Sequence, residues 1–589
     1  MRMQYSDYSN DFKLIEMPNT ATTFQTVESL FKQFVLADAE TSMGLGDTSF
    51  LGALGNPSLE HLNESTAQAK ALLSSIEVCT AEGFEQQLDL DLITRYLKQQ
   101  IFFAELEQSG QPQRCRQPGG VDGISAGIFQ LFVNDERDAG QRLDNILTRL
   151  QQAPNYLKAE AEVLTQPIQR WCNVEIEQGE GLPDLFTTIY NWAVETQYPQ
   201  QAELQLAIES CNQALKVYLE DLKQRECLTD FSIGEEKVTE LLALRNIKQS
   251  PAELILMARN FMADTQSLLS SLNKRLCKKY ELAAATSDED LHGFLNESFA
   301  AKIKEGKLSS VLDYYSDQIQ SINDFIEQRH LFALPAQQEI RLLQTPSFLE
   351  PVIPAGAMWP PLALRPGKKT SLVYLTLKED QLAEHTELGI PVMMIHEGIP
   401  GHHLQFATAA QHPSFIRRFF SANEHAEGWT TMLEDYMLDV GYISDDLVDE
   451  VRFIAKREMS RLVARVGIDL YFMTGERDYL NVGLDLGFAE EGYSDDVFDN
   501  AAKLLKTATG FTDGRVQAEL NWYSSEQSYP LSYLTGNRLV WQLKQDIQRD
   551  NKKELSPLEL DQAFHKVYLE SGCMPVENLR SVFEHKGYL

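Results

Sequence analysis

His396, Glu397, His402 and His403 crowd one short string, His-Glu-Gly-Ile-Pro-Gly-His-His over 396–403, directly after the apolar run Ile390–Ile395. These are the residue types a hydrolytic zinc site uses. Neutral imidazoles ligate the ion, and a carboxylate beside the first of them can take a proton from an activated water. Five of the 11 histidines (396, 402, 403, 412 and 425) fall between 396 and 425, so the cluster is not an accident of composition.

The spacing is unusual for such a site. In the common H-E-x-x-H helix the two histidines lie four residues apart and share a face. Here Pro400 occupies that position. On a regular helix His402 would sit roughly 240° around the axis from His396, and His403 roughly 10 Å along it. Neither could share an ion with His396 unless the helix breaks. Pro400-Gly401 supplies the means, because proline removes a backbone donor and glycine admits unusual dihedrals. A broken turn there brings His402, or alternatively His403, beside His396. The third ligand is expected from the segment 423–434, with Glu427 preferred over Glu424. Glu434 lies on the same face and could brace an imidazole from behind. The expected set is therefore His396, His402 and Glu427 around Zn²⁺, with Glu397 as the base. A two-histidine, one-carboxylate set also suits iron, but the acid adjoining the first histidine favours hydrolysis. The bland alternative is a group of half-buried histidines beside a solvated helix face.

The elements that must position these residues read as mainly α. From about Thr23 to Leu343 apolar residues recur at helical spacing, as in Val27, Leu30, Phe31 and Phe34, and again in Leu204, Ala207, Ile208, Cys211 and Leu215. Gln108–Gly123 and Gln178–Pro183, rich in Gly, Pro and Gln, read as loops. Six prolines (346, 351, 354, 360, 361, 366) then force an extended, irregular path. Ser371–Leu377 reads as a strand, expected at a sheet edge where it could pair with an extended peptide. Helical character resumes at about Pro391. The division expected is a helical N-terminal lobe over 1–345 and a catalytic lobe over 346–589, since 589 residues exceed one ordinary core.

Composition limits the function classes. The net charge of −34, from 86 acidic against 52 basic residues, repels phosphate backbones, so a nucleic-acid partner is not expected. No apolar run is long enough to span a bilayer. The start, Met1-Arg-Met-Gln-Tyr, has no basic-then-apolar leader, and the seven scattered cysteines include no C-x-x-C pair. Reduced thiols and a cytoplasmic location are the expectation.

The motif His-Glu-x-x-Pro-Gly-His-His-Leu-Gln over 396–405, followed by Glu427-Gly428-Trp429 and Glu434, resembles a widespread bacterial family known as domain of unknown function 885, grouped with zinc peptidases of the gluzincin type. The likeness extends over most of the chain, and Leu531-Ser-Tyr533-Leu-Thr-Gly536 resembles that family's Leu-x-Tyr-x-x-Gly element. More distantly the arrangement is similar to helical carboxypeptidases and oligopeptidases such as angiotensin-converting enzyme and the Taq-type carboxypeptidase. That resemblance implies a helical clamshell with a small β element, a short-peptide substrate, and a tyrosine beside the tetrahedral intermediate, matched best by Tyr533 and next by Tyr529. His403 or His425 would assist at the oxyanion. The chain departs from the family in two places: Met473 stands where a histidine is usual, and Gln527 where a proline is. Many relatives are exported lipoproteins, and no such leader is visible here. Two other outcomes remain open: a hydrolase of non-peptide amides or esters, and a catalytically silent scaffold that keeps a metal site.

Overall fold

The computed structural model describes residues 22–108, 110–345, 356–378 and 385–589. Among the described residues its architecture is mainly α, with one sheet of three strands and two short two-stranded pairs. Helical spacing in the sequence translates directly into buried faces. In the helix Phe24–Leu36 the residues Val27, Leu30, Phe31 and Phe34 point inward, and in Gln201–Gln224 so do Leu204, Ala207, Ile208, Cys211 and Leu215. Two helices start from a full capping box with proline in the first turn, at Ser250/Glu253 and Ser556/Glu559. In each, the serine oxygen takes a helix N–H and the glutamate returns to the cap, which removes two otherwise unpaired donors.

Two expected loops come out differently. Gln178–Pro183 lies inside the continuous helix Gln169–Glu195. Gly179 is there for packing: a Cβ on it would stand 2.7 Å from Leu219. Gln108–Gly123 takes in part of a short antiparallel strand pair (Glu107–Gln108 with Gln111–Pro112), a 3-10 turn over Gln113–Cys115, and the start of a helix that runs from Gly120 to Val133. Of the prolines expected to break the chain, Pro346, Pro351 and Pro354 lie outside the described residues.

The three strands are Gln338–Gln344, Gly356–Trp359 and Lys369–Leu375. The last is the strand expected over Ser371–Leu377, and it is central. It pairs in parallel with the first (Ser371 opposite Ile340) and antiparallel with the second (Trp359 opposite Leu372). This corrects the expectation of an edge strand. Both of its hydrogen-bonding sides are taken, so it cannot pair with a peptide. Its burial is that of a central strand, with Leu372, Val373, Tyr374 and Leu375 all inside.

The largest apolar cluster draws on both ends of the chain. It joins Phe31, Ile93 and Leu97 of the early helices to Met394, Leu404, Trp429, Leu433, Val540 and Phe583. A second cluster packs Trp171 and Leu254 against Val463, Phe472 and Leu520 of the later helices. The helices carrying the histidines therefore sit in the interior, held by early and late segments alike. Among the described residues no helix is long and apolar enough to cross a membrane.

Candidate metal centre

The helix Gly389–Glu397 ends just past the first histidine, and a second helix, His402–Ala409, begins at the next. Between them Ile399-Pro400 is a cis peptide, and Gly401 lies against the end of the first helix. A Cβ on Gly401 would stand 1.9 Å from the His396 carbonyl oxygen, so only glycine allows the two helices to meet. The imidazoles of His396 and His402 stand edge to face across this break, with ring centroids 5.0 Å apart.

Glu427 comes from the buried helix Asn423–Asp439. Its Oε2 lies 3.6 Å from His396 Nε2 and 3.4 Å from His402 Nε2. One ligand atom from each of the three residues falls within 4.8 Å of the others. Tetrahedral zinc with bonds of about 2.0–2.2 Å sets its ligand atoms roughly 3.3–3.6 Å apart. The two glutamate–histidine distances fit. The chemistry fits too: Glu427 Oε2 is buried and has no hydrogen-bond partner, although it faces two imidazoles. A buried carboxylate oxygen in that state is costly unless a cation completes it.

Supporting contacts hold each member in place. His396 Nδ1 meets Glu434 Oε1 at 2.8 Å, from a residue about two turns further along the glutamate helix. Glu427 Oε1 accepts from the Tyr529 hydroxyl at 2.8 Å. Trp429 donates from Nε1 to the Pro400 carbonyl at 2.9 Å, tying the glutamate helix to the broken turn. Gly428 faces the helix Ser532–Asp550 at its closest approach, where a Cβ on Gly536 would meet the Glu424 carbonyl at 2.1 Å. The Glu427-Gly428-Trp429 run thus supplies the acid, the contact that seats the tyrosine helix, and the tether.

Burial opposes charge on His396, but the facing carboxylates of Glu427 and Glu434 and the charge of Glu397 outweigh it and push its pKa up to about 10. Burial likewise opposes charge on Glu427, yet His402 and His396 hold its carboxyl well below the usual range.

Of the remaining expected residues, Glu397 is half-buried and near enough to raise the pKa of both His396 and Tyr533. Tyr533 stands against Tyr529, ring centroids 5.9 Å apart, with the Arg465 guanidinium 4.3 Å over its ring. Burial first, and then the charge of Glu427, raise its hydroxyl pKa. His403 is not at the centre, which corrects both its place as a rival ligand and its oxyanion role. Its Nδ1 is 2.7 Å from Ser371 Oγ and its Nε2 contacts Gln338, so it pins the second histidine helix to the sheet. Burial pushes its pKa down to about 4. One residue on from His402, it points roughly 100° further round the helix. His425 is buried beside Tyr568, ring centroids 4.2 Å apart, and is likewise not part of the cluster. Glu424, the rival acid, is paired with Arg245 at 2.8 Å.

Two positioning contacts were not read from the sequence, although Asp469 belongs to an Arg461-x-x-x-Arg465-x-x-x-Asp469 stretch of the kind the family carries. Asp469 accepts from the backbone N–H of Ser528 and Leu531, at 3.0 and 2.9 Å, and so shapes the loop that presents Tyr529. Arg245, at the end of an earlier helix, holds both Glu424 and Ser532. Both contacts are remote in sequence.

Comparisons agree with this architecture. The family model described as "Bacterial protein of unknown function (DUF885)" matches residues 38–582. The fold is similar to that of a candidate lipoprotein of unknown function from Shewanella oneidensis, with TM-score 0.73 and 16% identity over 96% of this chain and 100% of that one. It is equally similar to a candidate lipoprotein from Colwellia psychrerythraea, with TM-score 0.74 and 16% identity over 96% and 99%. No curated protein matches the chain. The neighbours overturn the expected cytoplasmic location: the same fold, over its whole length, occurs in proteins named as candidate lipoproteins, so scattered free cysteines do not place this chain in the cytoplasm.

Proposed function

The chain belongs to the bacterial DUF885 family, and we propose that it is a zinc-dependent hydrolase that cleaves amide bonds of short peptides. The observation that carries this reading is the buried, partnerless Oε2 of Glu427 facing His396 Nε2 and His402 Nε2 at 3.6 and 3.4 Å. Two histidines and a glutamate from the following helix form a ligand set of the gluzincin kind, the relationship that the His-Glu-x-x-Pro-Gly-His-His string suggests.

Zinc bound there would supply a Lewis acid to polarise a carbonyl and acidify water. The chain's own groups do the rest. Glu434 holds the His396 ring with Nε2 turned toward Glu427, and Tyr529 fixes the Glu427 carboxylate through its other oxygen. Glu397, one residue from the first ligand and not itself in the ligand set, accepts the proton of the attacking water and returns it to the leaving amine. Tyr533 keeps its proton because burial and the nearby carboxylates raise its pKa, so its hydroxyl donates to the oxygen on which charge develops.

The test combines metal content and turnover. Protein purified without chelator is expected to carry about one zinc per chain and to cleave members of a mixed peptide library. Glu397→Gln should retain the metal and lose activity by roughly 10²- to 10⁴-fold. Unchanged turnover with metal still bound refutes the base. Failure to take up zinc, with no activity on adding it, refutes the hydrolase.

A further inference from the structure

Beside Tyr533, on the helix Val448–Thr474, Arg461 and Arg465 lie one turn apart on one face. Their surroundings are unequal. Arg465 is satisfied: Nε donates to the Tyr523 hydroxyl at 2.9 Å, Nη2 to Glu519 Oε2 at 3.1 Å, and the guanidinium is stacked on Tyr533 and Trp522 at 4.3 and 5.1 Å. Glu519 Oε2 is further engaged by the Tyr523 hydroxyl. Arg461 is left over. Its Nε is buried without a partner. Its Nη1 reaches Glu519 Oε1 and Glu458 Oε2 only at 3.7 Å, beyond hydrogen-bond distance, and Glu458 is 41% exposed. Two guanidinium groups thus share essentially one half-buried carboxylate, and Arg461 keeps only loose ion pairs at 3.7 Å and no hydrogen bond.

This deficit lies within electrostatic reach of Tyr533, which neighbours the metal centre. Tyr533 links the two: Arg465 covers one face of its ring, Tyr529 touches it, and Tyr529 in turn bonds Glu427. The Tyr533 hydroxyl is within electrostatic reach of Glu427 and Glu397 as well as of Arg465 and Arg461. A substrate whose scissile carbonyl lies at the ligand cluster would carry its next groups past Tyr533 toward Arg461. A planar guanidinium with free donors is suited to a carboxylate, which it can hold through two parallel bonds.

We infer that Arg461 receives the free α-carboxylate at the C-terminal end of the substrate, which narrows the enzyme to one acting near peptide C-termini. This rests on the hydrolase reading, since it takes the ligand cluster as the place of cleavage. Arg465, already satisfied, acts as the positioning residue that keeps Glu519 from closing on Arg461.

The test is calorimetric titration of the zinc-loaded Glu397→Gln protein with three N-acetylated tetrapeptides: one ending as the free acid, its C-terminal amide, and an amide with glutamate as last residue. The free acid is expected to bind at least about 30-fold tighter than the amide, in line with a bidentate charged contact. Arg461→Gln should abolish that difference and Arg461→Lys should retain part of it, with both variants checked for an unchanged melting profile. Equal binding of acid and amide, binding of neither, or a preference that survives Arg461→Gln overturns the inference. Binding of the glutamyl amide as tight as the free acid also overturns it, in favour of an acidic side chain. The two readings fail separately. Equal rates of wild-type hydrolysis of acid and amide remove this inference and leave the hydrolase. Binding of the acid with no hydrolysis of any peptide removes the hydrolase and leaves the carboxylate receptor.

Discussion

Glu434 and Glu175 are both acids among buried neighbours, and their surroundings give them opposite characters. Glu434 is held by His396 Nδ1 at 2.8 Å and fixes which ring nitrogen faces Glu427. Glu434→Ala is therefore expected to weaken zinc affinity by about 10- to 100-fold, measured by competition with a chromophoric chelator. Glu175 pairs with no cation among the described residues; it accepts from the Val121 N–H at 2.8 Å and the Tyr218 hydroxyl at 3.0 Å. Burial pushes its pKa up to about 7. Between about pH 4.3, its unfolded value, and pH 7 the folded protein holds a proton the unfolded chain has lost. Stability therefore falls as pH rises through that window. Glu175→Gln keeps an acceptor for both donors and cannot ionise. It should stabilise the protein by roughly 3–4 kcal/mol at pH 8 and make no difference below about pH 4. Equal effects at the two pH values in denaturant titrations would count against the assignment.

The metal centre depends on how closely helices can approach, which two glycines decide. At Gly401 an added Cβ meets the His396 carbonyl at 1.9 Å, so Gly401→Ala should push His402 away and leave the purified protein without stoichiometric zinc. At Gly536 the obstruction is the Glu424 carbonyl at 2.1 Å. Gly536→Ala should separate the glutamate and tyrosine helices, costing roughly 1–3 kcal/mol by overpacking, read as a lowered denaturation midpoint. Retention of full zinc content in the first variant, or of the wild-type midpoint in the second, would show that the contacts yield. The helices themselves were legible in the sequence because burial repeats with helical period, as at Val27, Leu30, Phe31 and Phe34. Gln178–Pro183 misled because glycine and proline usually mark a turn, whereas here Gly179 fits against Leu219 and the helix continues. The central place of Lys369–Leu375 was hidden for a different reason. A strand's neighbours come from other parts of the chain, here Gln338–Gln344 and Gly356–Trp359.

For the molecule as a whole, the ligands stand on helices held by a core that runs from Phe31 to Phe583. An ion that binds the folded chain and not the unfolded one stabilises it by mass action, by about 2.7 kcal/mol at a free concentration 100 times its dissociation constant. Chelation should accordingly lower the melting temperature and added zinc restore it, with Glu427→Ala indifferent to both. An identical response in that variant would place the stabilising ion elsewhere.

The identities and order of His396, Glu397, His402 and Glu427, the break at Pro400-Gly401 and the helical fold class were all determined by the sequence, because they follow from side-chain chemistry and local backbone preference. Only the tertiary structure separated His402 from His403, turned Glu424 to Arg245, set Tyr529 on Glu427 and left Arg461 with its donors unfilled. Each of those outcomes depends on which distant segments meet in the core, and packing between segments remote in the chain leaves no periodic trace along it.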